Sequence, residues 1–258
     1  MDHEGFELMH RTSGWLTAVA LVLLPTTSPP LQAKDRWEGE PDLSGTYTIT
    51  SGTLPDGTAY DGTVEIEGKT RAGGKRGMVV WAVTWKITGK DPIHGFGVNV
   101  DGAFFVTYGD GESYGLMVYA PIQGGRDRWM KPDDMLRGVW VAANGANGGE
   151  GLRGNTGEWR GTYPLHGHST APDGSFYDTY KGRMTLEKDG EIFHAKWTGA
   201  YDKKDKPFDY DGLGFEAPGF LALTWGGGVV GVYVINEDGT MTGMYGEKAG
   251  IGNEKLAK

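Results

Sequence analysis

His166 and His168, in the stretch LHGHS, alternate along a segment that reads as a β-strand, so their imidazoles share one face at a spacing that suits two contacts to one metal ion. A third ligand is not evident beyond His194 and Asp173, and the plainer reading is a polar strand face turned to water. In VVWAVTWKI, Trp81, Val83, Trp85 and Ile87 share a face in the same way. Two readings follow: a cavity lined by aromatics for an apolar or sugar-like ligand, or the filled interior of a small barrel. Tyr108, Trp197 and Trp225 extend this set, because Trp85 recurs as Trp197 and Tyr108 as Trp225 further along the chain. The stretch PIQGGRDRWMKPDD places Trp129 among Arg126, Arg128 and Lys131, and an aromatic among cations suits an anionic or glycan partner. Its alternative is a solvated hairpin tip with Trp129 folded back on a barrel rim. The stretch GKTRAGGKRG adds Lys69, Arg71, Lys75 and Arg76 to an otherwise acidic protein.

Other chemistry finds no residues. The Pro-Asp-Gly turns at Pro55 and Pro172 carry carboxylates without the spacing of a calcium loop, and tight reversals require Asp and Gly for their own reasons. No serine is set off by a strand-turn-helix context and there is no H-E-x-x-H, and the paired acids Asp133–Asp134 and Glu65–Glu67 read as exposed strand positions. No cofactor is called for. A barrel enzyme, an isomerase or hydrolase with an aromatic-lined cavity, is an alternative with no catalytic residues of its own.

The chain has 258 residues and a formal charge of -9, which argues against nucleic acid as a partner. Cysteine is absent, so disulfides, thiolate metal sites and cysteine nucleophiles are excluded. A His-Arg pair precedes the apolar run Trp15 to Leu24 and a Leu-Gln-Ala ending at Ala33, the pattern of a secretory signal peptide over residues 1–33. Asp2, Glu4 and Glu7 are out of place there and point to Met9 as the true start. The run is shorter than the roughly 20 residues a membrane helix needs. The expected location is therefore outside the cytoplasm, secreted or in the periplasm or envelope of a bacterium, with no transmembrane span after signal removal.

The rest of the chain is a duplication. Gly45-Thr46-Tyr47 matches Gly161-Thr162-Tyr163, and Tyr60, Gly62, Val64 and Ile66 match Tyr180, Gly182, Met184 and Leu186. DGAFFVTYG from Asp101 aligns with PGFLALTWG from Pro218, the stretch Leu136 to Trp140 aligns with Met241 to Tyr245, and Glu150 and Leu152 meet Glu254 and Leu256. The copies run over residues 43–153 and 157–258, and their offset changes at Glu67–Arg76, at Pro121–Met135 and at Tyr201–Asp211, which marks those stretches as loops. Between them lie short segments of alternating polarity, rich in Val, Thr and aromatics, that read as antiparallel strands. The 45 glycines follow no fixed period and sit at turns between these segments.

About seven or eight strands per copy suffice to close a barrel and remove its edges. The predicted fold is all-β: two tandem antiparallel up-and-down β-barrels from an internal duplication, one in 43–153 and one in 157–258. The order of signals in each copy, GxY, YxG, WxxG, GxG, an aromatic-Gly strand end and GxW or GxY, resembles calycin-like barrels of the avidin and lipocalin type. It is most similar to tandem modules of bacterial secreted proteins, some named fibronectin-binding protein. The first reading is a secreted, non-catalytic binding protein that recognises an extracellular protein, a glycan or a small apolar ligand through barrel loops or mouth, the resemblance implying an extracellular protein or glycan as the partner class. A single outer-membrane barrel of about sixteen strands is the remaining alternative, disfavoured by segments mostly shorter than the roughly 9–11 residues such strands need.

Overall fold

The computed structural model describes residues 42–72, 78–100, 102–109, 113–122, 134–154, 159–203 and 205–258. These residues form β-strands and turns, with no helix among them. In chain order the strands are β1 (Gly45–Thr53), β2 (Ala59–Ala72), β3 (Met78–Ile87), β4 (Ile93–Val100), β5 (Ala103–Tyr108), β6 (Gly115–Pro121), β7 (Asp134–Ala142) and β8 (Asn147–Arg153). They continue with β9 (Gly161–Thr170), β10 (Phe176–Asp189), β11 (Ile192–Tyr201), β12 (Lys206–Ala217), β13 (Phe220–Trp225), β14 (Val229–Ile235), β15 (Met241–Glu247) and β16 (Gly250–Ala257).

Local chemistry explains the hairpins. Each Pro-Asp-Gly turn uses its carboxylate on itself: Asp56 Oδ1 accepts from the Thr58 amide at 2.8 Å and Asp173 Oδ1 from the Ser175 amide at 2.8 Å. These bonds hold both acids below the ordinary carboxylate pKa and close the β1–β2 and β9–β10 turns. Along β9, Tyr163, Leu165, Gly167 and Ser169 are buried while the residues between them are not, the alternation of a strand with one face on a core.

The strands close as two antiparallel barrels of eight, so the single barrel of about sixteen strands is not formed. The expected division of the chain between the barrels needs correction. The second barrel is the uninterrupted meander β6 to β13, sealed by pairing of β13 with β6. The first consists of β1 to β5 and β14 to β16, sealed where β5 meets β14 and β1 meets β16. One barrel is thus inserted into the other, and the boundaries 43–153 and 157–258 describe the sequence repeat but not the closed barrels. Each copy contributes its last three strands to the barrel that holds the first five strands of the other copy.

The two crossings that produce this exchange lie side by side. Thr107 Oγ1 and Thr224 Oγ1 are 3.1 Å apart; Thr107 donates to the Val229 carbonyl at 2.8 Å and Thr224 to the Gly115 carbonyl at 2.8 Å. Each threonine, next to last in its own strand, holds the first residue of the strand that arrives from the other copy. Gly226, at φ 78°, turns the chain there, and a Cβ on it would lie 2.6 Å from the Ser113 carbonyl oxygen.

Three apolar layers result. Trp81, Val83, Phe104 and Tyr233 belong to the interior of the first barrel, and Leu136, Leu186, Phe193 and Leu221 to that of the second. Phe105, Val118, Phe215 and Ala222 belong to a third layer between the barrels, which form one compact unit. This is why AFFVTY, GLMVYAP and FLALTW are apolar almost without interruption: β5, β6 and β13 are covered on both faces.

Candidate functional site

Two buried carboxylates sit at equivalent inward positions, Glu150 on β8 and Glu254 on β16, at 2% and 3% exposure. Strand alternation places them there, since Leu152 and Leu256, two residues on, lie in the barrel cores. Glu150 accepts from the Tyr119 hydroxyl on Oε1 and from the Tyr180 hydroxyl on Oε2 at 2.9 Å. Behind each phenol stands an indole: Trp197 Nε1 donates to Tyr119 at 3.1 Å, and Trp140 Nε1 to Tyr180 at 2.9 Å. Every donor in this chain points toward the carboxylate. In the first barrel Glu254 accepts from Tyr233 and, at 3.3 Å, from Tyr60, with the Trp85 side chain adding a further donor.

Glycines make room for these rings. Tyr119 lies across Gly138 and Tyr233 across Gly243, where a Cβ would stand 2.6 and 2.3 Å from the ring carbons. The exchange of strands is visible in the partners. Glu150 belongs to the first sequence copy, yet Tyr180 and Trp197 come from the second; Glu254 belongs to the second, yet Tyr60 and Trp85 come from the first.

Burial raises the pKa of Glu150 to about 7, against the tyrosine and tryptophan hydrogen bonds that favour its ionised form. Glu254 is raised for the same reason. Tyr119 and Tyr180 are pushed well above the ordinary phenol value by burial and by the adjacent carboxylate, so both stay protonated as donors.

Above Glu150 the second barrel is hollow. A cavity of about 330 Å³ is bounded by Glu150, Tyr180, Trp197, Met117, Trp140 and Trp225, with Tyr201, Phe208 and Tyr210 toward its rim. The rings contact one another: Trp140 meets Trp225 edge-on at 6.2 Å, Tyr180 meets Phe208 at 5.7 Å, and Phe208 stacks on Tyr210 at 5.8 Å. Tyr210 is 44% exposed and marks the opening. At the other end of this barrel Trp159, 7% exposed, packs into the core and donates from Nε1 to Glu216 Oε1 at 3.1 Å.

The rim is a property of the second sequence copy. In the first barrel the β3–β4 pairing ends at Trp85 opposite Ile93, whereas β11 and β12 continue past the equivalent pair, Trp197 opposite Tyr210, to Tyr201 opposite Lys206. This extension carries Tyr201 and Phe208. Asp178, fully buried, anchors the turn beyond it by accepting from the Lys203 amide at 3.2 Å and from the Thr179 amide at 2.8 Å.

Those of the residues singled out from sequence that the structure describes fall into four places. Trp197 and Trp225 line the cavity. Trp85 and Tyr108 pack together in the first barrel, 5.5 Å between ring centroids, near Glu254. Trp81 is fully buried and edge-on to Phe104 at 5.7 Å, a filled core position. His166 and His168 point away from the barrel interior; His166 Nε2 lies 3.3 Å from Asp134 Oδ2, and no group of three or more metal-ligating side chains gathers among the described residues. Arg126, Arg128, Trp129 and Lys131 lie outside the described residues, as do residues 1–33. The described residues that flank that loop, Ile122 and Asp134, stand at the end of the barrel opposite the cavity opening.

Glu150, Tyr119, Tyr180 and Trp140 were not picked out from sequence as site residues, although the repeat already matched Glu150, Tyr180 and Trp140 with Glu254, Tyr60 and Tyr245, and the structure adds Tyr119 with Tyr233. Their signal was present in Glu150 and Glu254, two acids in register with an inward leucine. The rim also had a signal, in the insertion Tyr201–Asp211. Comparison with models of known protein families, with curated proteins and with solved structures gives no match.

Proposed function

We propose that this protein is an exported, non-catalytic binding protein whose second barrel holds a small, ring-containing molecule at its open end. The observation that carries this reading is the hollow above Glu150: aromatic walls around a carboxyl group whose partners hold it in place. Its volume is at the low end of the range for small-molecule sites, about 300–1,000 Å³. A few oriented polar groups among apolar walls are what such sites use to fix a ligand's orientation. Export rests on the N-terminal pattern of residues 1–33. The loop carrying Arg126, Arg128 and Trp129 is not needed for this reading.

The test is equilibrium binding of a panel of small aromatic and cyclic compounds to the full chain, followed by intrinsic fluorescence, since Trp140, Trp197 and Trp225 all border the cavity. Saturable quenching that is lost in Trp225→Ala supports the reading; a panel without any saturable ligand refutes it. A second reading draws on one observation, the Glu150 pKa near 7, a value suited to a general acid or base working at neutral pH. Chemical change of a captured compound on prolonged incubation, absent in Glu150→Gln, would favour isomerisation over simple binding.

A further inference from the structure

We propose that the ligand of the second barrel is a small organic cation, a protonated amine or quaternary ammonium on a compact apolar body, with its charge against Glu150 and its body between Trp140, Trp225 and Tyr210. This rests on the small-molecule reading above and adds the chemical class.

Charge is the first ground. Among the described residues that bound the cavity Glu150 is the sole acid, and none is Lys, Arg or His. Against these residues an anionic ligand would meet a carboxyl group and no cation. The chain as a whole carries -9, so its field also draws cations inward.

Hydrogen-bond polarity is the second. Two indoles donate to two phenols and both phenols donate to Glu150, so the network converges on an acceptor. Each carboxylate oxygen can accept more than one hydrogen bond; the Tyr119 phenol takes Oε1 and the Tyr180 phenol Oε2, and the Trp197 indole adds a third donor, which leaves room for one more. A ligand that approaches Glu150 therefore meets acceptor capacity, which an ammonium N–H satisfies and a ligand carbonyl does not. The donors needed to hold a carboxylate in a low-dielectric site are already in place, and no described residue of the lining supplies a counter-charge.

The rings are the third. The faces of tryptophan and tyrosine attract cations, and the attraction grows when water is excluded. Trp140, Trp225 and Tyr210 adjoin one another at the open side of the cavity, with Tyr210 and Trp225 centroids 6.4 Å apart. A neutral apolar ligand would gain from the same walls but would leave Glu150 either buried without a counter-charge or protonated.

Binding is then coupled to proton release. The groups packed around Glu150 are Tyr119 from β6, Trp140 from β7, Tyr180 from β10 and Trp197 from β11, with Tyr201 further out on β11, and both Tyr119 and Tyr180 remain protonated at neutral pH. Glu150 is thus the group that titrates near pH 7, and a cation prefers its ionised form. Affinity for a permanently charged ligand should rise about tenfold from pH 6 to pH 8.5 and level off above that.

The experiment compares three probes of one skeleton on the full chain, by calorimetry and tryptophan quenching: 3-phenylpropylammonium, which carries N–H donors and stays charged between pH 6 and 8.5, 3-phenylpropanol and 3-phenylpropanoate. The proposal expects the cation to bind at least tenfold more tightly than the alcohol, the anion to bind most weakly, and the cation alone to show the rise with pH. In Glu150→Gln, shown folded by circular dichroism, the preference and the pH dependence should both disappear. Equal affinity for cation and alcohol, or a cation affinity flat between pH 6 and 8.5, overturns the proposal while the small-molecule reading stands. Failure of all three probes when other panel members bind also overturns it, and failure of the whole panel overturns both. The wild-type comparison decides the matter even if the variant does not fold.

Discussion

Replacing Glu150 with Gln should change the slope of stability against pH more than stability itself. In the native barrel burial raises the carboxyl from the ordinary 4.5 to about 7. Each tenfold change in proton affinity is worth about 1.4 kcal/mol, so the two states differ by about 3 kcal/mol. The native state binds this proton more tightly than the unfolded chain. The associated stabilisation is fully present below pH 4.5, declines as the pH rises, and is lost above about 7. Glutamine has no proton to lose there. It does have an amide nitrogen that cannot accept from one of the two phenols, a loss of about 1–3 kcal/mol that does not vary with pH. The variant should therefore be less stable than wild type near pH 4.5 and as stable, or slightly more so, near pH 8. Glu254 titrates in the same direction in both proteins and cancels from the comparison. Guanidinium unfolding at half-unit steps from pH 4.5 to 8.5 reads the difference. A gap between the two proteins that stays within about 0.5 kcal/mol over the whole range would show that Glu150 is not titrating as its burial requires.

Other perturbations address the fold and the rim. Phe105→Ala removes a fully buried ring from the layer between the barrels, where it meets Phe220 at 5.1 Å, and should cost about 3–5 kcal/mol in chemical denaturation; a cost under about 1 kcal/mol would argue against that layer. Asp178→Ala leaves the Lys203 amide without its acceptor and should lower stability by about 1–3 kcal/mol and weaken capture at the rim, whereas unchanged binding would detach that turn from the site. Gly115→Ala places a Cβ 1.9 Å from the Trp225 ring, so fluorescence titration should show the cavity ligand lost; retained affinity would mean that Trp225 does not border the site as described. Residues 113–228 expressed alone should give a β-sheet circular dichroism spectrum and a cooperative melt, because they contain every strand of one closed barrel, while residues 157–258 alone should not; the reverse result would restore the sequence repeats as the folding units.

The sequence by itself determined the class of structure and its symmetry. Alternation along stretches such as VVWAVTWKI and GTYPLHGHST follows from the two-residue period of a strand, and the Pro-Asp-Gly turns act through neighbours in the chain. The doubled pattern also paired Tyr60 with Tyr180, Trp85 with Trp197 and Glu150 with Glu254, all of which occupy matching places in the two barrels. Tertiary structure decided which strands close together. A strand's alternation records that one face is buried but does not name the strand hydrogen-bonded beside it. The choice between β6 and β14 as the neighbour of β5 is made by contacts such as Thr107 with Val229, 122 residues apart. The site inherits that choice, because the donors around Glu150 come from both copies and converge only once the strands are exchanged. The emphasis on the loop at Arg126 to Lys131 followed from charge and composition, which are visible along a chain. A carboxylate two residues from a leucine becomes a chemical group of interest only when distant tyrosines are folded against it and water is excluded.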